Sequence, residues 1–295
     1  MTPIRRTLSA LLVGSFVVAS ALPVTAAEEE KKGYSIGLSM YSLRQLFRDG
    51  SLTALDYPKF TKDTFGITEI DVWDGAFPED KRDDIEYYKE LKKAADAAGS
   101  NIFLLMVGAV DATGKTAEER KKGGDAFMKS VDYADALGAT FIRVFLKAPD
   151  IDREESIDHC IEALTPLADR AKTKDLIVVI EPGSSKWARK GPFLADLAKK
   201  MNHPSLRLMP DFGKMRYDDP YGGTVAMMPF SDSVSAKSYD FDEEGNEKHL
   251  DYSRLIKSVN EANYTGIIAI EYEGEKLGPV EGVKATQKLL ERLRP

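Results

Sequence analysis

The sequence predicts an α/β fold, a single (β/α)8 TIM barrel, from three observations. Eight short runs rich in Val, Ile, Leu and Phe start about 27–38 residues apart. Amphipathic helical patterns lie between these runs, which is typical of a parallel sheet covered by helices. The chain has 295 residues, of which the first 26 form a predicted leader. The remainder matches the roughly 250 residues of one closed barrel.

The predicted elements alternate along the whole chain. The strands are expected at 34–40, 67–73, 101–107, 139–146, 175–181, 206–211, 233–239 and 267–273. The clearest helical patterns, with apolar residues three and four positions apart, are at 80–98, 116–137, 153–172 and 282–293. The alternative is a doubly wound open sheet, which usually has a glycine-rich phosphate loop after its first strand. Residues 36–43 contain no such loop.

The first residues have the features of an export signal. Arg5 and Arg6 precede an apolar run at 8–22, and small residues follow at 24–26. This pattern predicts a secretory signal peptide and an exported location, periplasmic or secreted. A membrane anchor is the alternative, but the run is shorter than the roughly twenty residues of a spanning helix, so no stable membrane insertion is expected. The paired arginines fit twin-arginine export less well. The predicted organisation is a signal peptide at 1–26, a solvated leader at 27–33 and the barrel domain at 34–295.

The charge argues against a nucleic-acid-binding protein, and the cysteine content argues against a protein stabilised by internal disulfides. The formal net charge is −7, and removal of residues 1–26, which contain two arginines and no acid, makes it −9. So acidic a chain repels a phosphate backbone, and no nucleic-acid partner is expected. The single cysteine, Cys160, cannot form an internal disulfide. No pattern indicates the oligomeric state.

Three predicted strands end in a carboxylate: Glu181, Asp211 and Glu271. In a barrel of parallel strands, these ends converge on one mouth. Strand alternation then assigns a set of side chains to the barrel interior near that mouth. This set is Asp71, Arg143, Glu181, Asp211, Ser235, Lys237 and Glu271. The irregular stretch 213–228 follows Asp211 and is expected to be an active-site loop.

Buried charges are costly unless they are paired or bound to a metal. Two interpretations therefore stay open. Arg143 and Lys237 could neutralise two of the acids in a structural network. The excess of acid over base otherwise favours a divalent cation, with Mn²⁺ or Mg²⁺ preferred and Zn²⁺ or Co²⁺ as further options.

The chain resembles a known family through four sequence motifs. They are Val-Ile-Glu at 179–181, Met-Pro-Asp-Phe-Gly at 209–213, Val-Ser-Ala-Lys-Ser-Tyr-Asp-Phe-Asp at 234–242 and Ile-Glu-Tyr-Glu-Gly at 270–274. Together they are similar to the xylose isomerase-like barrels, specifically the sugar phosphate isomerase/epimerase family. The resemblance implies that Glu181, Asp211 and Glu271 bind one divalent metal.

The chain also departs from the pattern of that family. The metal-binding histidine on strand seven is replaced by Ser235. Pro182 and Gly183 stand where many relatives have Asn-His, and Lys214 stands where some have a substrate-contacting histidine. The three histidines of the chain are expected to be structural or exposed: His159 in a helix, His203 before strand six, and His249 at the start of a helix. Their scarcity argues against the histidine-rich DNA-repair endonuclease branch of the same superfamily.

The favoured functional hypothesis is an exported sugar isomerase or epimerase that abstracts a proton next to a carbonyl. Under this hypothesis the metal polarises the carbonyl, and Glu181 and Glu271 are the catalytic carboxylates. An exported enzyme is expected to act on an unphosphorylated sugar or sugar derivative. The candidate substrate contacts are Lys237, Arg143, Lys214, Trp73 and Ser235.

Three other hypotheses stay open. The same proton abstraction on an oxidised glycoside would make the protein a lyase that acts on keto-glycosides. Lys237 could instead form a Schiff base, as in a barrel aldolase. The missing histidine motivates the third hypothesis, a non-catalytic carbohydrate-binding protein.

Overall fold

The computed structural model describes residues 33–295, which contain one eight-stranded parallel sheet. The strands are β1 (Ser35–Leu38), β2 (Glu69–Trp73), β3 (Asn101–Asp111), β4 (Phe141–Lys147), β5 (Ile177–Ile180), β6 (Leu206–Leu208), β7 (Ser233–Ser238) and β8 (Ile267–Tyr272). Their order is β6-β5-β4-β3-β2-β1-β8-β7. Parallel bridges join Leu208 to Ser231 and Asp211 to Ser235, so the two end strands also meet. The predicted barrel is confirmed.

Helices connect the strands and cover the outside of the sheet. They are α1 (Arg44–Arg48), α2 (Tyr57–Phe65), α3 (Ile85–Ala98), α4 (Ala117–Asp125), α5 (Met128–Leu137), α6 (Arg153–Lys172), α7 (Gly191–Met201), α8 (Pro220–Met227), α9 (Tyr252–Glu261) and α10 (Pro279–Leu293). Short 3-10 turns lie at Met40–Leu43, Asp74–Ala76, Glu79–Lys81 and Met228–Phe230. The bounds of α6 agree with the predicted helix at 153–172. Its N-cap, Asp152, accepts backbone hydrogen bonds from Glu154 and Glu155.

The predicted helix at 116–137 is wrong in one respect, because it is two helices, α4 and α5. Two glycines near the end of α4 explain the break. A Cβ on Gly123 would lie 2.1 Å from the carbonyl oxygen of Asp111, and one on Gly124 would lie 2.2 Å from that of Ala163. The close packing of α4 on its neighbours therefore requires glycine, which is a weak helix former.

Two further predictions, for the segments that follow β6 and β7 in the chain, need correction. The stretch 213–228 is not wholly irregular, because it contains α8. Asp219 caps this helix by accepting hydrogen bonds from the backbone of Tyr221 and Gly222, and Pro220 occupies its first position. His249 does not open a helix, since α9 begins at Tyr252 with Asp251 as its N-cap.

Strand alternation separates two apolar layers, as the sequence predicted. The outward side chains of β4, such as Ile142 and Val144, belong to the large core between sheet and helices. The interior of the barrel contains a smaller cluster: Phe103, Leu104, Met106, Phe141, Val179, Met209 and Ala269. This cluster fills the barrel beneath its carboxyl-terminal mouth.

The predicted signal peptide at 1–26 lies outside the described residues, as does the leader at 27–33 apart from Gly33. The exported location therefore stays a prediction. Within 33–295, no helix is both long enough and apolar enough to cross a bilayer.

Candidate functional site

Glu181 follows β5 directly, Asp211 lies three residues after β6, and Glu271 lies within β8. Each acid is two positions beyond a side chain of the inner cluster. Glu181 follows Val179, Asp211 follows Met209, and Glu271 follows Ala269. Because strand side chains alternate, each acid continues the inward face. Each offers a carboxylate oxygen, and these oxygens lie within 4.8 Å of one another. We refer to Glu181, Asp211 and Glu271 as the acidic triad.

Lys237 projects into the acidic triad from β7 and is only 1% exposed. Its Nζ lies 3.3 Å from Asp211 Oδ2 and 3.1 Å from Glu271 Oε1. It also donates a hydrogen bond of 2.8 Å to Glu273 Oε1. The ammonium group therefore contacts two members of the triad and a third carboxylate.

Arg143 provides the second buried positive charge, opposite Lys237. Its Nε lies 3.0 Å from Glu181 Oε2, and its Nη1 donates to the carbonyl oxygen of Val107 at 3.0 Å. The guanidinium carbon also lies 4.2 Å from the centroid of the Phe145 ring. The charge-pairing interpretation from the sequence is thus realised for all three acids, by Lys237 on two of them and Arg143 on the third.

The remaining triad oxygens differ in their partners. Asp211 Oδ1 accepts hydrogen bonds from the backbone of Gly213 at 2.8 Å and Lys214 at 2.7 Å. Ser235 Oγ donates to Glu271 Oε2 at 2.8 Å. Glu181 Oε1 is buried and has no hydrogen-bond partner in the part of the chain that the structure describes. Asp211 Oδ2 also has no hydrogen-bond partner among the described residues, although Lys237 Nζ lies 3.3 Å away. Glu181 and Asp211 are therefore the two members with free hydrogen-bonding capacity.

The two glutamates of the triad have pKa values shifted in opposite directions. Burial, reinforced by Asp211 and Glu271, raises the pKa of Glu181 well above its ordinary value despite Arg143. Burial also acts to raise the pKa of Glu271, but Lys237 and the Ser235 hydroxyl outweigh it and lower this pKa to about 2. Glu271 is therefore ionised at neutral pH, whereas burial makes Glu181 easier to protonate than an exposed glutamate.

Lys237 stays positively charged in this environment. Burial acts to lower its pKa, but Asp211, Glu271, Glu181 and Glu273 outweigh burial and raise the pKa well above 10.5. A Schiff base requires a neutral amine as nucleophile. The aldolase hypothesis for Lys237 therefore receives no support from this geometry.

A cavity of about 310 Å³ opens at the mouth beside the triad. Its lining residues are Tyr41, Trp73, Asp74, Met106, Val107, Gly108, Arg143, Phe145, Lys214, Glu271 and Glu273. A second cavity of about 320 Å³ shares Lys214 and Glu273 with the first, and Lys237 and Tyr239 line it. We call these the first and second cavities.

The predicted site residues therefore divide into two groups. Trp73, Arg143, Lys214 and Glu271 line the first cavity, and Lys237 lines the second. Glu181, Asp211 and Ser235 are buried and line neither cavity, with exposed fractions of 2%, 0% and 0%. We expect this second group to act on the cavity-lining group, because Arg143, Lys237 and Glu271 contact it directly.

Sequence reasoning left Glu273 out of the candidate site, although it lines both cavities and contacts Lys237. The available signal was its spacing, since it lies two residues after Glu271 on the same face. Tyr41 and Phe145 were also missed. Tyr41 packs edge-on against Trp73 with ring centroids 5.0 Å apart, a contact between the 3-10 turn after β1 and the end of β2 that no local pattern indicates.

Asp71 is the remaining inward acid of the predicted set, and it is fully buried. Its Oδ1 accepts a 2.7 Å hydrogen bond from the backbone of Met40. Its Oδ2 is one of the buried oxygens without a partner among the described residues. Burial is the main cause that raises the pKa of Asp71 well above its ordinary value.

The three histidines lie away from the triad. His159 is in α6, and His203 precedes β6, with its Nε2 3.2 Å from Asp169 Oδ1. The ring of His249 packs edge-on against that of Tyr239. The group of described residues that could bind a metal contains three carboxylates and no histidine.

The acidic triad has the spacing of a metal site, but its contacts do not suit a divalent ion as the side chains stand. The Lys237 ammonium lies against Asp211 and Glu271, and Arg143 lies against Glu181. Ser235, at the position of the family histidine, donates its hydroxyl proton to Glu271 instead of offering a lone pair to a metal. The clustering of the three predicted ligands is thus established, and their binding of a metal stays a prediction.

Comparison with protein-family models gives one match, to the model described as xylose isomerase-like TIM barrel, over residues 62–295. The chain belongs to this family. The resemblance inferred from the sequence motifs is therefore confirmed. No curated protein matches the chain by sequence.

Solved structures of low sequence identity share the fold. The 3-keto-D-glucoside 4-epimerase YcjR from E. coli has a TM-score of 0.64 at 13% identity, over 89% of this chain and 100% of that one. The IOLI protein with a binding zinc atom has a TM-score of 0.68 at 12% identity, over 88% and 98%. A sugar phosphate isomerase/epimerase from Parabacteroides distasonis ATCC 8503 has a TM-score of 0.62 at 19% identity, over 93% and 99%.

Proposed function

We propose that this protein is a sugar isomerase- or epimerase-like enzyme that moves a proton on the carbon next to a carbonyl group. The observation that carries the proposal is the placement of Glu271. It is an ionised carboxylate that lines a cavity of sugar size, and two cationic side chains, Arg143 and Lys214, line the same cavity. A base beside cations that stabilise an oxyanion is what enolisation requires.

In this proposal Glu271 removes the proton. In the resting site Lys237 and Ser235 share its charge and keep it a weak base. A substrate oxygen that competes for the Lys237 ammonium would weaken that contact and raise the basicity of Glu271. Arg143 and Lys214 then contact the oxygen on which negative charge develops, and Trp73 stacks on a face of the sugar.

The second carboxylate of the reaction is assigned to Glu273 rather than to the predicted Glu181. Glu273 lines both cavities, so it reaches a substrate that lies between them. Glu181 is 2% exposed and contacts Arg143, so we propose that it positions this arginine. Return of the proton to the opposite face gives an epimer, and return to the neighbouring carbon gives an isomer.

The substrate class follows from the cavity and the family. A first cavity of about 310 Å³ with an aromatic wall and polar side chains fits a monosaccharide or a small glycoside. Two of the similar structures are named for a 3-keto-D-glucoside and for sugar phosphates. Because the sequence also predicts export, we propose an unphosphorylated ketose or keto-glycoside as substrate.

Proton exchange with solvent tests this function without knowledge of the product. The protein is incubated in D₂O with a panel of ketohexoses and 3-keto-glucosides, and NMR measures deuterium at the carbon next to the carbonyl. We expect deuterium incorporation by the wild type and loss of it in Glu271→Gln. Absence of exchange across the panel, with saturable binding of the same sugars, would instead support the carbohydrate-binding hypothesis.

The lyase hypothesis stays the second candidate, because the same base can expel a leaving group from a keto-glycoside. The similarity in fold to a 3-keto-D-glucoside 4-epimerase makes such a substrate worth testing. Release of the aglycone from a 3-keto-glucoside, with no epimer formed, would identify the lyase. Recovery of the intact epimer would identify the epimerase.

A further inference from the structure

Lys237 lies among three carboxylates, two from the acidic triad and that of Glu273, in a way that surface lysines do not. Its Nζ has three carboxylate oxygens within 3.3 Å, from Asp211, Glu271 and Glu273. Its side chain is 2% exposed, so these contacts are hardly screened by water. A cation at this position, between three carboxylates and away from water, is strongly stabilised.

The residues around Lys237 leave space for its side chain and fix its backbone. A Cβ on Gly213 would lie 2.8 Å from both Cγ and Cδ of Lys237 and 2.6 Å from the Tyr239 hydroxyl. Any larger residue at position 213 would therefore displace the lysine side chain. The Tyr252 hydroxyl also donates a 2.8 Å hydrogen bond to the carbonyl oxygen of Lys237, which fixes the backbone.

The oxygens of Asp211 and Glu271 that face away from Lys237 are engaged by other donors. Asp211 Oδ1 accepts two backbone N–H groups, and Glu271 Oε2 accepts the Ser235 hydroxyl. A divalent ion would therefore compete with the ammonium for the two remaining oxygens. Two positive groups at contact distance repel each other strongly in a buried site. The metal and the lysine are thus alternatives for one position.

We propose that the ammonium group of Lys237 is the resident cation of this site and takes the electrostatic role of a divalent metal. In the catalytic part, which rests on the proposed function, Glu271 accepts the proton from the substrate carbon. The electron pair of the broken C–H bond forms a carbon–carbon double bond, the π pair of the carbonyl group moves to its oxygen, and the Lys237 ammonium stabilises the resulting enediolate. The return of the proton restores all groups, with no change of oxidation state.

Metal titration tests the occupancy of the site independently of activity. Chelator-treated protein is titrated with MnCl₂ and, separately, ZnCl₂ in a calorimeter. We expect no saturable binding by the wild type. Lys237→Met removes the competing charge, so this variant should bind one equivalent. Ser235→His combined with Lys237→Ala should bind more tightly, because it adds an imidazole ligand.

Two variants serve as controls for charge and location. Lys237→Arg keeps the positive charge and should gain no metal binding. Lys214→Met makes the same change as Lys237→Met on a side chain that lines both cavities but is exposed, and it should also gain none. If Lys237→Met folds only when metal is added, thermal unfolding with and without ZnCl₂ is measured instead. A higher unfolding temperature with ZnCl₂ would then show that the metal replaces the ammonium group as the cation of the site.

The inference is overturned if the wild type binds one equivalent of metal, or if Lys237→Arg gains a site as readily as Lys237→Met. Failure of this inference is distinguishable from failure of the proposed function. Deuterium exchange that needs added metal would reject the role of Lys237 and retain the enzyme. Metal binding gained by Lys237→Met, without exchange by the wild type, would retain the resident cation and reject the enzyme.

Discussion

The two halves of the barrel contribute different kinds of side chain to the mouth. Strands β5–β8 and the residues that follow them supply Glu181, Asp211, Lys237 and Glu271. Lys237 contacts Asp211 and Glu271, and the carboxylates of Glu181, Asp211 and Glu271 lie within 4.8 Å of one another. Strands β1–β4 and their following turns supply mainly the apolar and aromatic wall of the first cavity, with Trp73 as its largest side chain. Most of the ion-paired residues therefore come from β5–β8, and most of the apolar and aromatic wall comes from β1–β4.

This difference indicates a division of labour. The charged half fixes the protonation states, because its groups lie within hydrogen-bonding distance of each other and are shielded from water. The aromatic half offers a surface on which a sugar ring can pack. The β1–β4 half also contains charged residues, namely Asp71, Asp74 and Arg143. Arg143 belongs to β4 yet contacts Glu181, and it therefore connects the two halves.

The largest effect is expected from removal of the proposed base in the charged half. Glu271→Gln should lower the rate of deuterium exchange about 10²- to 10⁴-fold, the usual contribution of a general base. NMR of the exchanged sugar measures the rate. Glu90→Gln makes the same change on an exposed position of α3 and should leave the rate unaltered. An exchange rate in Glu271→Gln equal to that of the wild type would show that another residue is the base, and Glu273 would be the next candidate.

Removal of the central cation is expected to destabilise the charged half. Lys237→Met leaves Asp211 and Glu271 buried without their partner and should cost about 3–5 kcal/mol of unfolding free energy in the absence of metal. Urea denaturation measures this loss. Lys214→Met, at an exposed position, should change stability by less than about 0.5 kcal/mol. Equal effects of the two substitutions would show that the lysine contacts contribute little.

Glu271, in the charged half, and Asp71, in β2, should respond to pH with opposite signs. The pKa of Glu271 is lowered from 4.5 to about 2, so its stabilisation is present above pH 4.5 and is lost as the pH falls towards 2. This loss is on the order of 3 kcal/mol. The pKa of Asp71 is raised above 3.8, so stability is lost as the pH rises from about 4 through the raised value.

Urea denaturation across pH separates these two contributions as differences from the wild type. Glu271→Gln should flatten the acidic part of the stability profile. Asp71→Asn keeps the acceptor for the Met40 backbone and should reduce the loss of stability on the alkaline side, to which Glu181 also contributes through its raised pKa. Parallel profiles for the wild type and Asp71→Asn would mean that Asp71 titrates normally.

The smallest effect is expected in the aromatic half. Trp73→Phe keeps an aromatic ring but reduces the stacking surface, so KM should rise about five-fold, equivalent to about 1 kcal/mol, with little change in kcat. Steady-state kinetics on the sugar identified by exchange measures both constants. Trp187→Phe, outside the first cavity, should leave KM unchanged. A fall in kcat without a change in KM would place Trp73 in the reaction itself.

The sequence by itself determined the barrel and most of the charged set, although not Glu273. Strand alternation and the spacing of eight units were sufficient for these, because both follow from local backbone geometry. The family resemblance added the predicted metal-binding role of Glu181, Asp211 and Glu271. The break between α4 and α5 was not predicted, because it depends on the contacts of Gly123 and Gly124 with β3 and α6.

Only the tertiary structure decided how the charges are paired. The sequence left open whether Lys237 contacts a substrate, forms a Schiff base or neutralises the acids. The fold places its ammonium against Asp211, Glu271 and Glu273. Such pairing depends on distances between side chains from different strands, to within about 1 Å, and no local pattern in a sequence specifies these.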